Sequence, residues 1–467
     1  MTADSLTGQA RWQPLLSGEA AAMALAVVGE IAAELRAARP APPEGLDEAD
    51  AALWQAALAT GDAGLALLFA YLDLHLTATA GSAGGEARGD DGGPPVADPT
   101  DQPGCDHAVT ALDLLDRAVD NLAAAPLHRG LFAGLPGITW VSEHLRGRVF
   151  DQDAADGDAA DAAVLAWLRR SHWAGDHDLI GGLAGLGVYA LERLPRPGAA
   201  RALDLVVERL EGAAHRTAGG AAWLTAAERL PEALRQTRPD DCRDLGAAHG
   251  AAGVVAFLGA AIAAGLAADR ALPLLEEAMR QLLSYRQPDS ELAQFPSFVA
   301  PGVEVRRTRL AWCYGDLGIA ATLAVAAQGA RRPDWRGTAH EIARAAARRP
   351  LAASGVVDAS LCHGAAGVAH LFNRLYQESG DPELGEAARH WLHQALAFRR
   401  PGRGIGGFRT WESRTDGSGS WYDDAGFLAG AAGTGLALLA AVSPVEPAWD
   451  RALLLSLRPD GEARRPR

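Results

Sequence analysis

Two cysteines 49 residues apart, Cys313 and Cys362, each stand two positions ahead of a glycine that opens a Gly-x-x-Gly pair, and His363 directly follows the second. Two thiolates and an imidazole form a Cys2His donor set. Three protein ligands leave the fourth tetrahedral position open, which is the pattern of a catalytic rather than a structural zinc. Thiolate softness favours zinc over magnesium or calcium. A helix beginning just after each cysteine would help hold it as thiolate. A lone Cys-His dipeptide and a distant cysteine say little. The register says more: His249 stands one residue before the glycine of AHGAAG, and Asp178 four residues before that of GLAG. Asp, His, Cys and Cys-His thus precede four successive glycine pairs and are expected to face one space. Arg309 and Tyr314 flank Cys313 closely enough to reach it.

Blander readings compete for several of these residues. Asp178 could serve as a helix N-cap, and His249, set among Ala and Gly, could be a satisfied core histidine. Arg309 and Tyr314 could be structural. Cys105 and Cys242 lack the register and read as inert packing. His128, His172, His177, His340, His390 and His393 read as surface or helix-face residues without a role.

The elements that must position these side chains are repeats. Glycine pairs occur seven times, at Gly61/Gly64, Gly134/Gly137, Gly182/Gly185, Gly250/Gly253, Gly315/Gly318, Gly364/Gly367 and Gly430/Gly433, spaced 48 to 73 residues apart. Each opens a small, apolar, nearly uncharged stretch. Between them lie amphipathic segments: Leu384, Ala388, Trp391, Leu392, Ala395 and Leu396 share one stripe, as do Leu275, Ala278, Met279 and Leu282. Uncharged helices belong inside and amphipathic ones outside, so seven pairs predict an all-α, double-walled α/α toroid. Glycines at the inner-helix starts let backbones approach closely. The expected organisation is an N-terminal helical extension over 1–49, the seven-repeat toroid over 50–442, and a C-terminal helix and tail over 443–467. The Gly-rich stretch 79–103 and the tail from Arg458 read as disordered. Residues 287–308 are the best candidate for extended structure.

Composition excludes several chemistries. The 467 residues include no lysine; 43 arginines face 58 acids, for a net charge of −15. There is therefore no Schiff-base lysine, Walker phosphate loop or kinase lysine. No basic, aromatic-interleaved stripe suggests nucleic-acid binding. Four cysteines form no disulfide framework, and the start MTADSLTGQARWQ does not read as a signal peptide, so a cytoplasmic location is expected. Gly246–Ala268 is uncharged over 23 residues, but it is mostly Ala and Gly and reads as an internal helix rather than a membrane span.

The motifs GAAHGAAG, AWCYGDLG, SLCHGAAG and GFLAGAAG resemble the signatures of the lanthionine synthetase C-like family, the lanthipeptide cyclases, with the repeat match spanning about residues 50–442. The resemblance implies an α/α toroid with zinc held by Cys313, Cys362 and His363. It also implies His249 and Asp178 as acid/base candidates, with Arg309 and Tyr314 lining the site. One departure is visible: WCYG is followed by Asp316 and Leu317, where many members carry a small residue and Pro. The implied reaction is Michael addition of a peptide cysteine to dehydroalanine or dehydrobutyrine, forming lanthionine or methyllanthionine rings. In that reaction the substrate thiol would take the open zinc position, His249 would protonate the enolate, Asp178 would orient or recharge His249, and Arg309 could stabilise the enolate oxygen.

The partners implied are a dehydrated precursor peptide, leader plus core, a separate dehydratase and a transporter. The protein is expected to be a monomer that neither binds nucleic acid nor spans a membrane. Nothing in the chain looks able to dehydrate Ser or Thr. The alternative within the family is a non-catalytic zinc protein binding glutathione or thiol peptides. A prenyltransferase barrel would want an aromatic cavity and a cationic diphosphate site, which 6% aromatics and missing lysines disfavour. A barrel glycosidase would want paired inward carboxylates, and only Asp178 shows the register.

Overall fold

The computed structural model describes residues 12–37, 41–83, 106–150, 157–171, 173, 175–226, 228, 235, 238, 242–287, 292–304, 306–413 and 418–457. Its helices run, in chain order, α1 (Gly18–Ala37), α2 (Glu48–Ala56), α3 (Asp62–Ala83), α4 (His107–Ala123), α5 (Leu135–Leu145), α6 (Asp158–Leu168), α7 (Leu183–Glu192), α8 (Pro197–Ala213), α9 (Ala251–Ala263), α10 (Ala268–Leu283), α11 (Asp316–Ala330), α12 (Pro333–Ala347), α13 (Ala365–Ser379), α14 (Pro382–Phe398) and α15 (Ala431–Val442). Every one of the seven glycine pairs opens a helix. These seven, α3, α5, α7, α9, α11, α13 and α15, each touch the next, and α15 returns to α3. The inner wall is thereby closed, as the repeat predicts.

Six outer helices follow their inner partners directly: α4, α6, α8, α10, α12 and α14. The seventh comes from the other end of the chain. Helix α1, in the segment read as an extension, packs against α15, strapped by Leu15 and Leu16 N–H groups to the Ala441 carbonyl at 2.8 and 3.0 Å. Burial follows the two stripes read in the sequence. Leu384, Ala388, Trp391, Leu392 and Ala395 are buried on α14, and Leu275, Ala278, Met279 and Leu282 on α10. Helices α9 and α15 are buried on nearly every face, which is why their sequences lack polarity.

The inner helices start without side-chain caps. Instead the loop ahead folds back, so that the first helical N–H donates to the carbonyl seven residues earlier: Leu135 to His128, Leu183 to Asp176, Ala365 to Asp358 and Ala431 to Asp424, at 2.9 to 3.1 Å. This tight return is what demands glycine. A Cβ on Gly367 would lie 1.8 Å from the Leu361 carbonyl oxygen. At the WCYG departure the helix starts differently. Gly315 has φ 92°, a conformation that favours glycine, and Asp316 turns inward to accept from the N–H groups of Gln294 and Phe295 and from Arg349.

Strands are short. A hairpin pairs β1 (His215–Thr217) with β2 (Gly220–Ala222), and β3 (Arg243–Asp244) pairs with β4 (Phe298–Val299), the only strand among the described residues of 287–308. A second hairpin, β5 (Thr410–Ser413) with β6 (Gly419–Tyr422), has no counterpart in the sequence reading. Of the stretch 79–103, residues up to Ala83 continue α3. Its remainder, like the tail from Arg458, lies outside the described residues.

The C-terminal segment carries a short helix of the 3-10 type, Ala448–Leu453. It fills the end of the barrel axis opposite the glycine loops. Asp450, fully buried, accepts from His370 at 2.7 Å and Arg374 at 2.6 Å, while Arg451 reaches Glu192 at 3.3 Å across the ring. Nearby, Tyr71, His144 and Glu192 form a buried chain with links of 2.9 and 3.0 Å. The uncharged stretch around α9 is only 13 helical residues. Among the described residues, the helix long and apolar enough to cross a membrane is α3, over Asp62–Ala80, and it sits in the inner wall.

Candidate functional site

A belt of backbone hydrogen bonds defines the end of the ring where the inner helices begin. The residue two positions before each first glycine offers its carbonyl to the preceding unit. Ala59 donates to Phe132, Phe132 to Ile180, Leu179 to Ala248, Ala248 to Cys313, Trp312 and Cys313 to Cys362, Cys362 to Leu428, and Phe427 and Leu428 back to Ala59, at 2.8 to 3.4 Å. Seven carbonyls, one per unit, close the circle. Residues of equal register therefore become neighbours in space, and the sequence register converts into a site.

Cys313 and Cys362 occupy that belt position in adjacent units, and His363 the next one. Their ligand atoms lie within 4.8 Å of one another. Cys313 is buried and Cys362 and His363 half-buried. Cys313 is the thiol that ionises first. The Cys362 thiol hydrogen-bonds to it, outweighing burial, and His363 and the Arg309 charge add to the effect, holding it well below the usual thiol range. Two soft sulfurs and an imidazole converging at one point fit a zinc ion and leave a position free. Among the described residues, this trio is the group able to hold a metal ion.

Asp178 and His249 meet beside it. The carboxylate Oδ2 lies 2.7 Å from His249 Nδ1, and Oδ1 accepts from the Gly181 N–H at 2.9 Å. Asp178 is buried, whereas the His249 side chain is 46% exposed, which removes the core-histidine reading. Burial favours neutral His249, yet the hydrogen bond and charge of Asp178, with Asp244 and Cys313, raise its pKa above the ordinary histidine value. Burial likewise pushes Asp178 up, and the His249 contact and the Gly181 N–H more than reverse it, leaving a carboxylate more acidic than usual. The ring of Tyr314 stacks on His249 at 6.1 Å and 25°. Arg309 is half-buried, and its charge lowers the pKa of both thiols.

All seven residues singled out in the sequence are therefore brought to one end of the barrel. Of those set aside, His177 is buried against Trp223 rather than on a surface, and its charge acts on the neighbouring Asp178; the others have their own surroundings. Cys242 is fully buried, and burial pushes its thiol up to about 12. His340 pairs with Glu378 at 2.7 Å, His390 packs edge-on against Trp391, and His128 accepts from the Gly130 N–H. Cys105 and His172 lie outside the described residues. Three carboxylates near the site were not foreseen. Asp358 lies 3.8 Å from His363 and accepts from the Trp411 N–H of the β5–β6 hairpin at 3.1 Å. Asp424 lies close enough to His363 to feel its charge, and Asp244 accepts from the Tyr314 hydroxyl at 3.3 Å. Each stands six residues before a first glycine, so the register that found the thiols held these too.

With this geometry in hand, the comparison with known families is direct. Residues 100–454 match the family described as lanthionine synthetase C-like protein. The chain belongs to that family. The match takes in units two to seven and ends one residue past the 3-10 helix Ala448–Leu453. This lanthionine synthetase C-like chain is also similar to the solved structure of "Nisin cyclase", with a TM-score of 0.65 at 18% identity, covering 92% of this chain and 96% of that one. At that identity the likeness concerns the fold, and it extends to the first unit. No curated protein matches the sequence.

Proposed function

We propose that the chain is a zinc-dependent lanthipeptide cyclase, adding peptide cysteine thiolates to dehydroalanine or dehydrobutyrine to form lanthionine or methyllanthionine rings. The observation that carries this reading is a convergence: the Cys313–Cys362–His363 donor set and the Asp178–His249 pair share one end of one ring. The family and the fold of the nisin cyclase structure support it. A zinc ion held by the trio supplies Lewis acidity that favours the thiolate form of a thiol at its open position.

The protein's own residues account for the rest. Thiolate addition to the alkene forms a C–S bond and leaves an enolate, which takes a proton at the α-carbon. His249, its pKa raised by the bond to Asp178 against the effect of burial, would give that proton from the exposed face of the ring. Asp178 holds the imidazole tautomer and orientation from behind. Arg309, whose charge acts on both thiols, would stabilise negative charge on sulfur or the enolate oxygen. Tyr314 covers one face of His249 and narrows the approach. A mere binder of thiol peptides needs no such His–Asp pair.

The substrate would be a precursor already dehydrated by a separate enzyme, and the site of action cytoplasmic. The test mixes zinc-loaded protein with a dehydrated, cysteine-containing peptide. Cyclisation masks free thiols from alkylation without changing the peptide mass. Persistence of the thiols, while an authentic cyclase closes rings on the same peptide, would overturn the assignment.

A further inference from the structure

Six residues before the first glycine, units three, four, six and seven all carry aspartate: Asp176, Asp244, Asp358 and Asp424. In units six and seven the carboxylate turns back on its own loop. Asp358 accepts from the Ser360 N–H and hydroxyl at 3.0 and 2.8 Å, and Asp424 from the Gly426 N–H at 2.6 Å. These are Asx turns, and they shape the loop that starts the helix.

Asp244 is diverted from that duty. Only 1% exposed, it accepts from the Thr225 hydroxyl at 2.7 Å, from the Arg238 guanidinium, and from the Tyr314 hydroxyl at 3.3 Å. A buried carboxylate is costly unless its lone pairs are satisfied, and here the third partner is a site residue. The pairing of β3 with β4 fixes Asp244 opposite Phe298, and Arg238 lies over the rings of Phe298 at 4.8 Å and Tyr314 at 5.9 Å. Tyr314 in turn stacks on His249.

A phenol has one hydrogen to donate and two lone pairs. With the hydrogen committed to Asp244 and one lone pair engaged by Arg238, Tyr314 has a single lone pair left to offer as an acceptor. We propose that Asp244 is a positioning residue that locks the Tyr314 hydroxyl as a hydrogen-bond acceptor for a substrate amide N–H and fixes the ring against His249. Its kinetic consequence rests on the cyclase reading; its structural consequence does not.

Arg238 and the Tyr314 hydroxyl both meet Asp244 at Oδ1, while Oδ2 accepts from Thr225. Asp244→Ala removes that shared oxygen and leaves the phenol hydrogen without its acceptor. On a dehydrated peptide, D244A is expected to lower kcat roughly ten- to hundredfold through misplacement, with zinc content unchanged. In a Tyr314→Phe background the same change is expected to cost less than about twofold, because the group it acts through is gone. Equal losses in both backgrounds would mean a structural role and overturn the proposal. The second arm needs no activity: 3-fluorotyrosine is placed at position 314 and its 19F resonance recorded. D244A is expected to move that resonance and Asp424→Ala to leave it unchanged; a resonance insensitive to D244A overturns the proposal. If the wild-type protein closes no rings, the cyclase reading fails, and the resonance still decides the part of Asp244.

Discussion

The backbone N–H of Cys313 donates to the carbonyl of Cys362 at 3.4 Å, although 49 residues separate them in sequence. Both stand two positions before a repeat glycine, in units that adjoin in the ring. The belt of like-register hydrogen bonds is therefore also what brings the two sulfurs together. Metal affinity and ring closure are linked through the same few atoms.

Removing any one donor, by Cys313→Ala, Cys362→Ala or His363→Ala, should reduce bound zinc from one per chain to well below stoichiometric. Elemental analysis of purified protein reads this directly. Far-UV circular dichroism should change little, because the belt uses backbone groups that all three variants keep.

His249→Ala should lower kcat by about a hundredfold or more, as expected for loss of a general acid, with zinc content unaffected. The pH dependence follows from the raised pKa of His249. An acid must be protonated to act, so activity is present below that pKa and lost as pH rises through it. Asp178→Asn removes the largest interaction raising it, so the falling limb should move to lower pH. A limb that stays in place in Asp178→Asn would count against His249 as the donor.

Gly367→Ala places a methyl group 1.8 Å from the Leu361 carbonyl oxygen. The loop carrying Cys362 must shift, so both the thermal midpoint and zinc retention should fall. Gly337, exposed on α12 with nothing within 4 Å of a new Cβ, is the contrast. Gly337→Ala should stabilise the protein by roughly 0.5–1 kcal/mol through helix propensity.

Asp450→Asn leaves the buried Arg374 guanidinium with only the exposed Glu446 carboxylate, at 3.3 Å, as counter-charge at the axis plug. Breaking one partner of such a pair typically costs about 3–5 kcal/mol, so the variant should melt markedly lower, which calorimetry would detect.

His144, fully buried, has its pKa lowered to about 4, chiefly by burial. The folded state thus resists protonation that the unfolded chain accepts near 6.5, and stability should fall as pH drops from about 6.5 to about 4. Glu192, lowered to about 2 despite burial by its bond to His144, extends the loss below its ordinary value of 4.5. Denaturant midpoints across this range check both. A flat profile would show that the Tyr71–His144–Glu192 chain is more open to water than its geometry indicates.

The sequence alone determined the inner wall and the identity of the reactive side chains. Glycine spacing and scarce charge locate inner helices because a buried helix holds an ion only where a partner offsets it, as for Arg374, Glu192 and Asp316, and because the returning loop excludes any Cβ. The same register placed Cys313, Cys362, His363, His249 and Asp178 at one end before any coordinates. Tertiary structure decided what depends on contacts between distant units. That α1 serves as the outer partner of α15, and that Ala448–Leu453 fills the axis, is set by closure of a ring whose ends meet, which no local pattern encodes. Aspartates of equal register likewise look alike in sequence. Only the folded neighbourhood, with Arg238 and Thr225 against Asp244 and the Ser360 and Gly426 amides against Asp358 and Asp424, separates the one facing Tyr314 from those that shape a turn.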